Sequence, residues 1–225
     1  MSDMYSGAPA PTFRLIPSKF PPIGLFDTVA TAADAEAVME LAGWTNDRLV
    51  EERLRRLPED EWVYGRPNSS VVMATFLHVP PTGSRFNGPD LGAWYAAAAL
   101  RTAAIEVAHH LRREAIATGA SMLERAFRTY TAELAGNYLD LRGQQAARPD
   151  IYADGSYVAS QSLGESTRAS GGAGIIYDSV RHAGGTNIVA HRPRNILQVT
   201  QTDHWLLTVQ ARSSQISLKC TARGC

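Results

Sequence analysis

An α+β fold is the expectation for this 225-residue chain, and three observations lead to it. Apolar residues at helical spacing gather early, while short β-branched and aromatic runs fill the later part. That order separates helices from strands and argues against a doubly wound parallel sheet. A hydrophobic share of 44% with 20% charged residues belongs to a folding globular chain, long enough to bury a core.

Residues 1–11 are small, rich in Pro and Ala, and read as a mobile start. "FRLIPSKFPPIGLF" predicts a strand over Phe13 to Ile16 that ends at Pro17, then a proline-stiffened loop. Thr31 to Leu57 carries two helical patterns broken near Gly43, the second capped by Thr45 or Asn46, and reads as an insertion. Ser69 to Val79, "SSVVMATFLHV", predicts a strand, and "PPTGS" turns the chain. A short strand over Ala93 to Ala97 then feeds a helix over Leu100 to Ile116, with Leu100, Ala103, Ala104, Val107 and Leu111 at helical spacing.

Met122 to Leu134 fits both periods; a strand is preferred, because "NYLDL" follows a turn at Gly136 and suggests a hairpin. A polar helix over Tyr157 to Arg168, the Gly-rich "SGGAG", and strands "GIIYD", "NIVAH", "NILQVT" and "HWLLTVQ" complete the chain. A single domain over 12–212 and a C-terminal tail over 213–225 follow from this reading.

Several function classes lose support at once. The formal net charge is zero, with no run of like charges, so neither nucleic acid nor an anionic membrane is an expected partner. Cys220 and Cys225 lie at the chain end without a second Cys/His pair, and no metal is expected. No apolar run approaches a membrane span and the start lacks a secretory pattern, so a cytoplasmic protein is expected. The motifs G-x-G-x-x-G, Walker A, H-E-x-x-H and G-x-S-x-G are absent.

The stretch "GSRFNGPDLGAWYAAAALRTAAIEVAHH" concentrates the candidate chemistry. Arg85 follows Gly83 and Ser84 in a turn, which presents a guanidinium; an exposed solubilising arginine is the alternative. Trp94 and Tyr95 are neighbours on a strand and face opposite ways, so one belongs to the core and the other is free to stack on a ring. Glu106 shares a helical stripe with Thr102, Ala103, His109 and His110, either facing an alanine-lined cleft or solvated. One carboxylate, one aromatic and arginines suit cleavage of an activated N-glycosidic bond, as in NAD. Nicotinamide leaves without protonation, so the second carboxylate of an ordinary glycosidase is not needed. The glutamate holds ribose hydroxyls and stabilises the oxocarbenium-like transition state while arginine grips pyrophosphate.

These segments, with "FRLIP" before and "GIIYDSVRHAGGTNIV" after, resemble in order the RES domain, the toxin half of bacterial toxin–antitoxin pairs. The resemblance implies an ADP-ribosyltransferase-like split β-sheet core with an NAD cleft. It implies that Arg14 and Arg85 contact NAD, Tyr95 stacks on the nicotinamide side, Glu106 is the catalytic carboxylate, and Ser179 and Asn187 bind the cofactor. Compact members of the family have a short connection where this chain inserts Thr31 to Leu57, which leaves Arg66 as the alternative to Arg14. The family consumes NAD by ADP-ribosyl transfer to a protein, by phosphorolysis or by hydrolysis, under a partner antitoxin with an Xre-like domain. The insertion favours a host protein as acceptor, with an antitoxin over the active-site cleft. A noncatalytic nucleotide-binding regulatory module is the competing class; it needs the arginines but not Glu106.

Overall fold

The protein is described from a computed structural model covering residues 4–20, 24, 26–31, 33–35, 37–38, 52–53 and 55–222. Nine strands form one sheet in the order β1-β5-β6-β7-β3-β2-β4-β8-β9, all neighbours antiparallel except β5 and β6. They are β1 (Tyr5–Gly7), β2 (Thr12–Pro17), β3 (Trp94–Ala97), β4 (Met122–Leu134), β5 (Asn137–Asp140), β6 (Gly174–Asp178), β7 (Thr186–Ala190), β8 (Ile196–Gln210) and β9 (Ile216–Ala222). Three helices pack on the sheet: α1 (Ser69–Leu77), α2 (Leu100–Thr118) and α3 (Val158–Ala169).

Alternation of side chains along the strands creates two cores. Trp94, Ala96, Ile176, Ile188 and Ala190 face α1, whose Val72, Met73, Phe76 and Leu77 are buried against them. On the other face Leu15, Ala97, Phe127, Leu207 and Val209 receive Ala103, Ala104, Ala108 and Leu111 of α2. Phe86, Ile175, Tyr177 and Val189 join Ala159 and Leu163 of α3 on that same face. The alanines of α2 therefore serve close approach of helix to sheet. The architecture is α+β, as the order of patterns predicts.

The middle of the sheet is nearly divided. β2 pairs with β4 along its whole length, Thr12 to Pro17, but with β3 only at Phe13 opposite Ala97. Beyond that point Arg14 Nη1 reaches across and donates to the Tyr95 carbonyl at 2.8 Å.

Four expectations are corrected. Ser69–Leu77 is a helix because a carboxylate far away in the sequence caps it. Asp27 accepts the Asn68 N–H at 3.0 Å and the Ser70 N–H at 2.9 Å, satisfying donors that a helix start otherwise leaves open. The β4–β5 hairpin does not form: both edges of β4 are taken, by β2 and β8, so β5 crosses to pair with β1 and β6. "NILQVT" and "HWLLTVQ" are one strand, β8, which absorbs irregularities in its register with β4. The mobile start and the tail supply edge strands instead, Tyr5–Gly7 on β5 and Ile216–Ala222 on β8. Backbone groups left open along a sheet edge are enough to order such short segments. Most of the two helices expected over Thr31 to Leu57, with the break at Gly43 and its caps, lies outside the described residues; 33–35, 37–38, 52–53 and 55 are helical.

Candidate active site

The loop carrying "GSRFNGPDLG" is clamped onto α3 by that helix's polar face. Gln161 Nε2 donates to the carbonyls of Thr82 and Ser84 at 2.8 and 3.0 Å. Glu165 accepts the Gly88 N–H at 2.8 Å, and Arg168 Nη2 donates to the Gly92 carbonyl at 2.8 Å. Gly164 permits the contact, since a Cβ there would lie 2.0 Å from the Phe86 carbonyl oxygen.

This clamp turns Arg85 inward. The arginine is buried, 6% exposed, not presented at a turn as its sequence context predicts. Its Nη1 donates to the carbonyls of Ile151 and Ala153 at 3.2 and 3.0 Å, and its guanidinium lies 4.7 Å from the Tyr157 ring centre. Two donors are thus spent on orientation. Nη2 has no hydrogen-bond partner among the described residues.

Trp94 and Tyr95 divide between the faces as strand geometry requires. Trp94 is fully buried on the α1 side, while Tyr95 lies on the α2/α3 side. The Tyr95 hydroxyl accepts the Phe86 N–H and donates to Asn87 Oδ1, both at 2.8 Å. Burial pushes this phenol well above its ordinary range, so it acts as a neutral ring and hydrogen-bond anchor.

Glu106 sits on the second turn of α2 and is held from β7 and from the loop between β6 and β7. Ser179 Oγ donates to Glu106 Oε1 at 2.6 Å, and Asn187 Nδ2 donates to the same oxygen at 2.7 Å. Arg181 Nη1 lies 3.4 Å from Oε2. The carboxylate is only 20% exposed and is not a solvated helix glutamate. Ser179 Oγ also accepts the N–H groups of Arg181 and His182 at 3.2 and 3.0 Å, so one hydroxyl shapes the loop and aims at the glutamate. Thr102 Oγ1, one turn before Glu106, contacts His182 Nδ1 at 2.9 Å and ties the loop to α2.

His109 and His110 stack edge to face at 5.5 Å. Burial, and next the Arg181 charge, holds the His109 imidazole low, at about 4, so it adds no cation near Glu106 at neutral pH.

The structure therefore gathers Glu106, Ser179 and Asn187 by direct contact, and Tyr95 and Arg85 line the same sheet face beside α3. Arg14 stands apart. It lies on the strand position between Phe13 and Leu15, both packed under α2, and its guanidinium lies 4.9 Å from the Trp94 ring at the β2–β3 seam. Burial lowers its pKa to about 10, leaving it cationic. Arg66 is placed elsewhere, donating to the Ile196 carbonyl at 3.0 Å.

Three site residues escape the sequence reading. Arg181 bridges Glu106 and Asp154, with Asp154 Oδ1 3.1 Å from its Nη2, and Asn87 anchors Tyr95. The Ser-x-Arg spacing after "GIIYD" is a local signal for Arg181, because a serine accepting the N–H two residues on tightens the turn. Asp154 has no such signal.

Two open surface depressions, one lined by Gly136, Gly171, Arg192 and Arg194, the other by Arg53, Pro80, Pro81 and Asp90, do not include Glu106. Among the described residues no group of three or more His, Cys, Asp and Glu is placed to hold a metal ion, and no helix is long and apolar enough to cross a membrane.

The family model of the RES domain matches residues 53–210. That span takes in Arg66, Arg85, Tyr95, Glu106, Ser179 and Asn187 and leaves out Arg14. No curated protein matches the chain. Among solved structures it is similar to one described as the crystal structure of the M. tuberculosis MbcT-MbcA toxin–antitoxin complex, with 21% identity over 54% of this chain and 72% of that one, at a TM-score of 0.41.

Proposed function

The chain belongs to the RES-domain family, and from that premise we propose that it is an NAD-consuming toxin of a bacterial toxin–antitoxin pair, acting as a mono-ADP-ribosyltransferase on a host protein in the cytoplasm. The observation that carries the reading is the single carboxylate of Glu106, oriented on one oxygen by two neutral donors, Ser179 and Asn187. Neutral donors fix the direction of the carboxylate without cancelling its charge, as stabilisation of a developing oxocarbenium requires.

In this reading the nicotinamide–ribose bond breaks and its electron pair leaves with the nicotinamide nitrogen, discharging the ring. The acceptor's lone pair then forms the new bond to the ribose carbon, and its proton passes to solvent. Glu106 stabilises the positive ribose between these events, the Tyr95 ring faces nicotinamide, and Arg85 takes the pyrophosphate. The nearly divided sheet at β2–β3 supports an ADP-ribosyltransferase-like core, with Arg14 at the opening. The stretch Thr31 to Leu57, read as an insertion, lies largely ahead of the family match, and an addition of that kind suits recognition of a protein acceptor better than a small nucleophile. An Xre-like antitoxin covering the cleft completes the reading, because an NAD-consuming enzyme has to be silenced in its own cell.

The test uses NAD labelled in the adenylate half. Label transferred to protein is the expected result. Label recovered as ADP-ribose or as a phosphorylated ADP-ribose replaces transfer by hydrolysis or phosphorolysis, and unconsumed NAD removes the enzyme reading in favour of a nucleotide-binding module.

A further inference from the structure

The segment that follows Ile151 lays a carboxylate between two buried arginines. Asp154 Oδ1 lies 3.1 Å from Arg181 Nη2 and 3.7 Å from Arg85 Nη2. The arginine side chains are 10% and 6% exposed, whereas that of Asp154 is 64% exposed. Each guanidinium also keeps a buried donor with no hydrogen-bond partner among the described residues, Nε of Arg181 and Nη2 of Arg85. Buried charged donors are ordinarily satisfied, so an unfilled donor on each of two guanidiniums that share one carboxylate marks a place open to a larger anion.

The carboxylate is held there lightly. Gly155 and Ser156 are exposed, and no atom lies within 4 Å of where a Cβ on Gly155 would sit. Tyr157 packs on the Arg85 guanidinium and brings its hydroxyl to 3.5 Å from Arg181 Nη2. One ring and one acidic side chain, neither fully buried, thus close 153–157 over the arginines.

Resting on the NAD reading above, we propose that Asp154 stands in for a phosphate of the dinucleotide. Segment 153–157 is then an internal competitor that the pyrophosphate displaces, and Arg181 is a second phosphate-binding arginine beside Arg85. A pyrophosphate carries two negative charges to the aspartate's one and offers oxygens to both unfilled donors, so it wins the exchange. Arg181 also touches Glu106, which places its charge between the incoming phosphates and the catalytic carboxylate and offsets their repulsion. Arrival of the substrate's remote phosphates and the setting of Glu106 pass through one side chain.

The test is Asp154→Asn, at an exposed position where the amide keeps the shape and loses the charge. Binding of inorganic pyrophosphate and of ADP-ribose, read by calorimetry, is expected to tighten about fivefold, the upper range for removal of an exposed ion-pair partner. The KM for NAD falls by a similar factor while kcat stays within about twofold. Arg181→Lys, which keeps the charge but not the planar fork, weakens pyrophosphate binding and makes Asp154→Asn nearly silent when the two are combined. Unchanged or weaker pyrophosphate binding by Asp154→Asn overturns the proposal and leaves Asp154 a structural counter-ion, even if the wild type consumes NAD. Tighter pyrophosphate binding in a protein that consumes no NAD instead sinks the NAD reading while the phosphate site stands.

Discussion

Glu106 and Glu61 are both carboxylates largely withdrawn from water and both meet arginine, yet they are held by opposite means. Glu61 is 5% exposed, and its Oε1 receives Arg192 Nη1 at 2.5 Å and Arg194 Nε at 3.1 Å. Its neighbour Asp60 accepts Arg194 Nη1 at 2.6 Å. Two acids and two arginines thus join the short turn Glu59–Glu61 to the turn Pro193–Asn195 ahead of β8. Glu106 Oε1, by contrast, meets only a hydroxyl and an amide, and its one arginine stands off at 3.4 Å while also serving Asp154. Charge pairs cancel charge and fasten chain segments; neutral donors orient a charge and leave it for use. The first arrangement fastens chain segments, and the second suits the chemistry proposed for Glu106.

The comparison breaks most plainly at Glu106. Glu106→Gln keeps the size and the Asn187 neighbourhood but removes the charge, so kcat for NAD is expected to fall by about 10²-fold or more, with little change in urea stability or in NAD affinity. Turnover near that of the wild type would end the catalytic assignment.

The opposite profile is expected at Glu61. Glu61→Gln leaves Arg192 and Arg194 short of their acceptor charge in a largely buried place and lowers unfolding free energy by about 1–3 kcal/mol. NAD turnover per folded molecule should stay within about twofold. A selective loss of activity there would mean that the two clusters are not distinct.

Arg85→Lys sharpens the contrast within the site. A lysine keeps one charge but cannot hold the carbonyls of Ile151 and Ala153 together and still offer a planar face to Tyr157 and a donor to phosphate. A drop of about tenfold in kcat/KM is expected, chiefly through KM, measured by steady-state NAD consumption. The smallest effect belongs to Ser179→Ala. Loss of the hydroxyl removes one charge-assisted hydrogen bond to Glu106 while Asn187 still holds the same oxygen, so a fall of only a few-fold in kcat is expected. An effect as large as that of Glu106→Gln would show that the hydroxyl is part of the reaction and not only a support.

Much of this was legible in the chain. Strand alternation at Trp94–Tyr95 decided that one ring enters the core and the other faces the opposite side, because adjacent strand residues have no other choice; packing against α1 decided that the core ring is Trp94. The spacing of Leu100, Ala103, Ala104, Val107 and Leu111 decided α2. Other features depended on distant partners. Ser69–Leu77 carries Val71, Val72 and Phe76, which suit a strand equally well, and only Asp27, more than 40 residues away, settles it as a helix. β5 left its neighbour β4 because both edges of β4 were occupied, which no local pattern records.

The same division runs through the site. Residue types and their order along the chain pointed to Glu106, Tyr95 and Arg85, since the proposed reaction needs one carboxylate, an aromatic and a bidentate cation, while Ser179 and Asn187 came with the resemblance to the RES domain. The burial of Arg85 and the meeting of Arg181 with both Glu106 and Asp154 were decided only when α3 clamped the 82–92 loop and the 153–157 segment closed over it. Local spacing determines which way a side chain leaves its own strand or helix. What it meets is determined by segments arriving from elsewhere, and their hydrogen bonds and charges set the site's electrostatics.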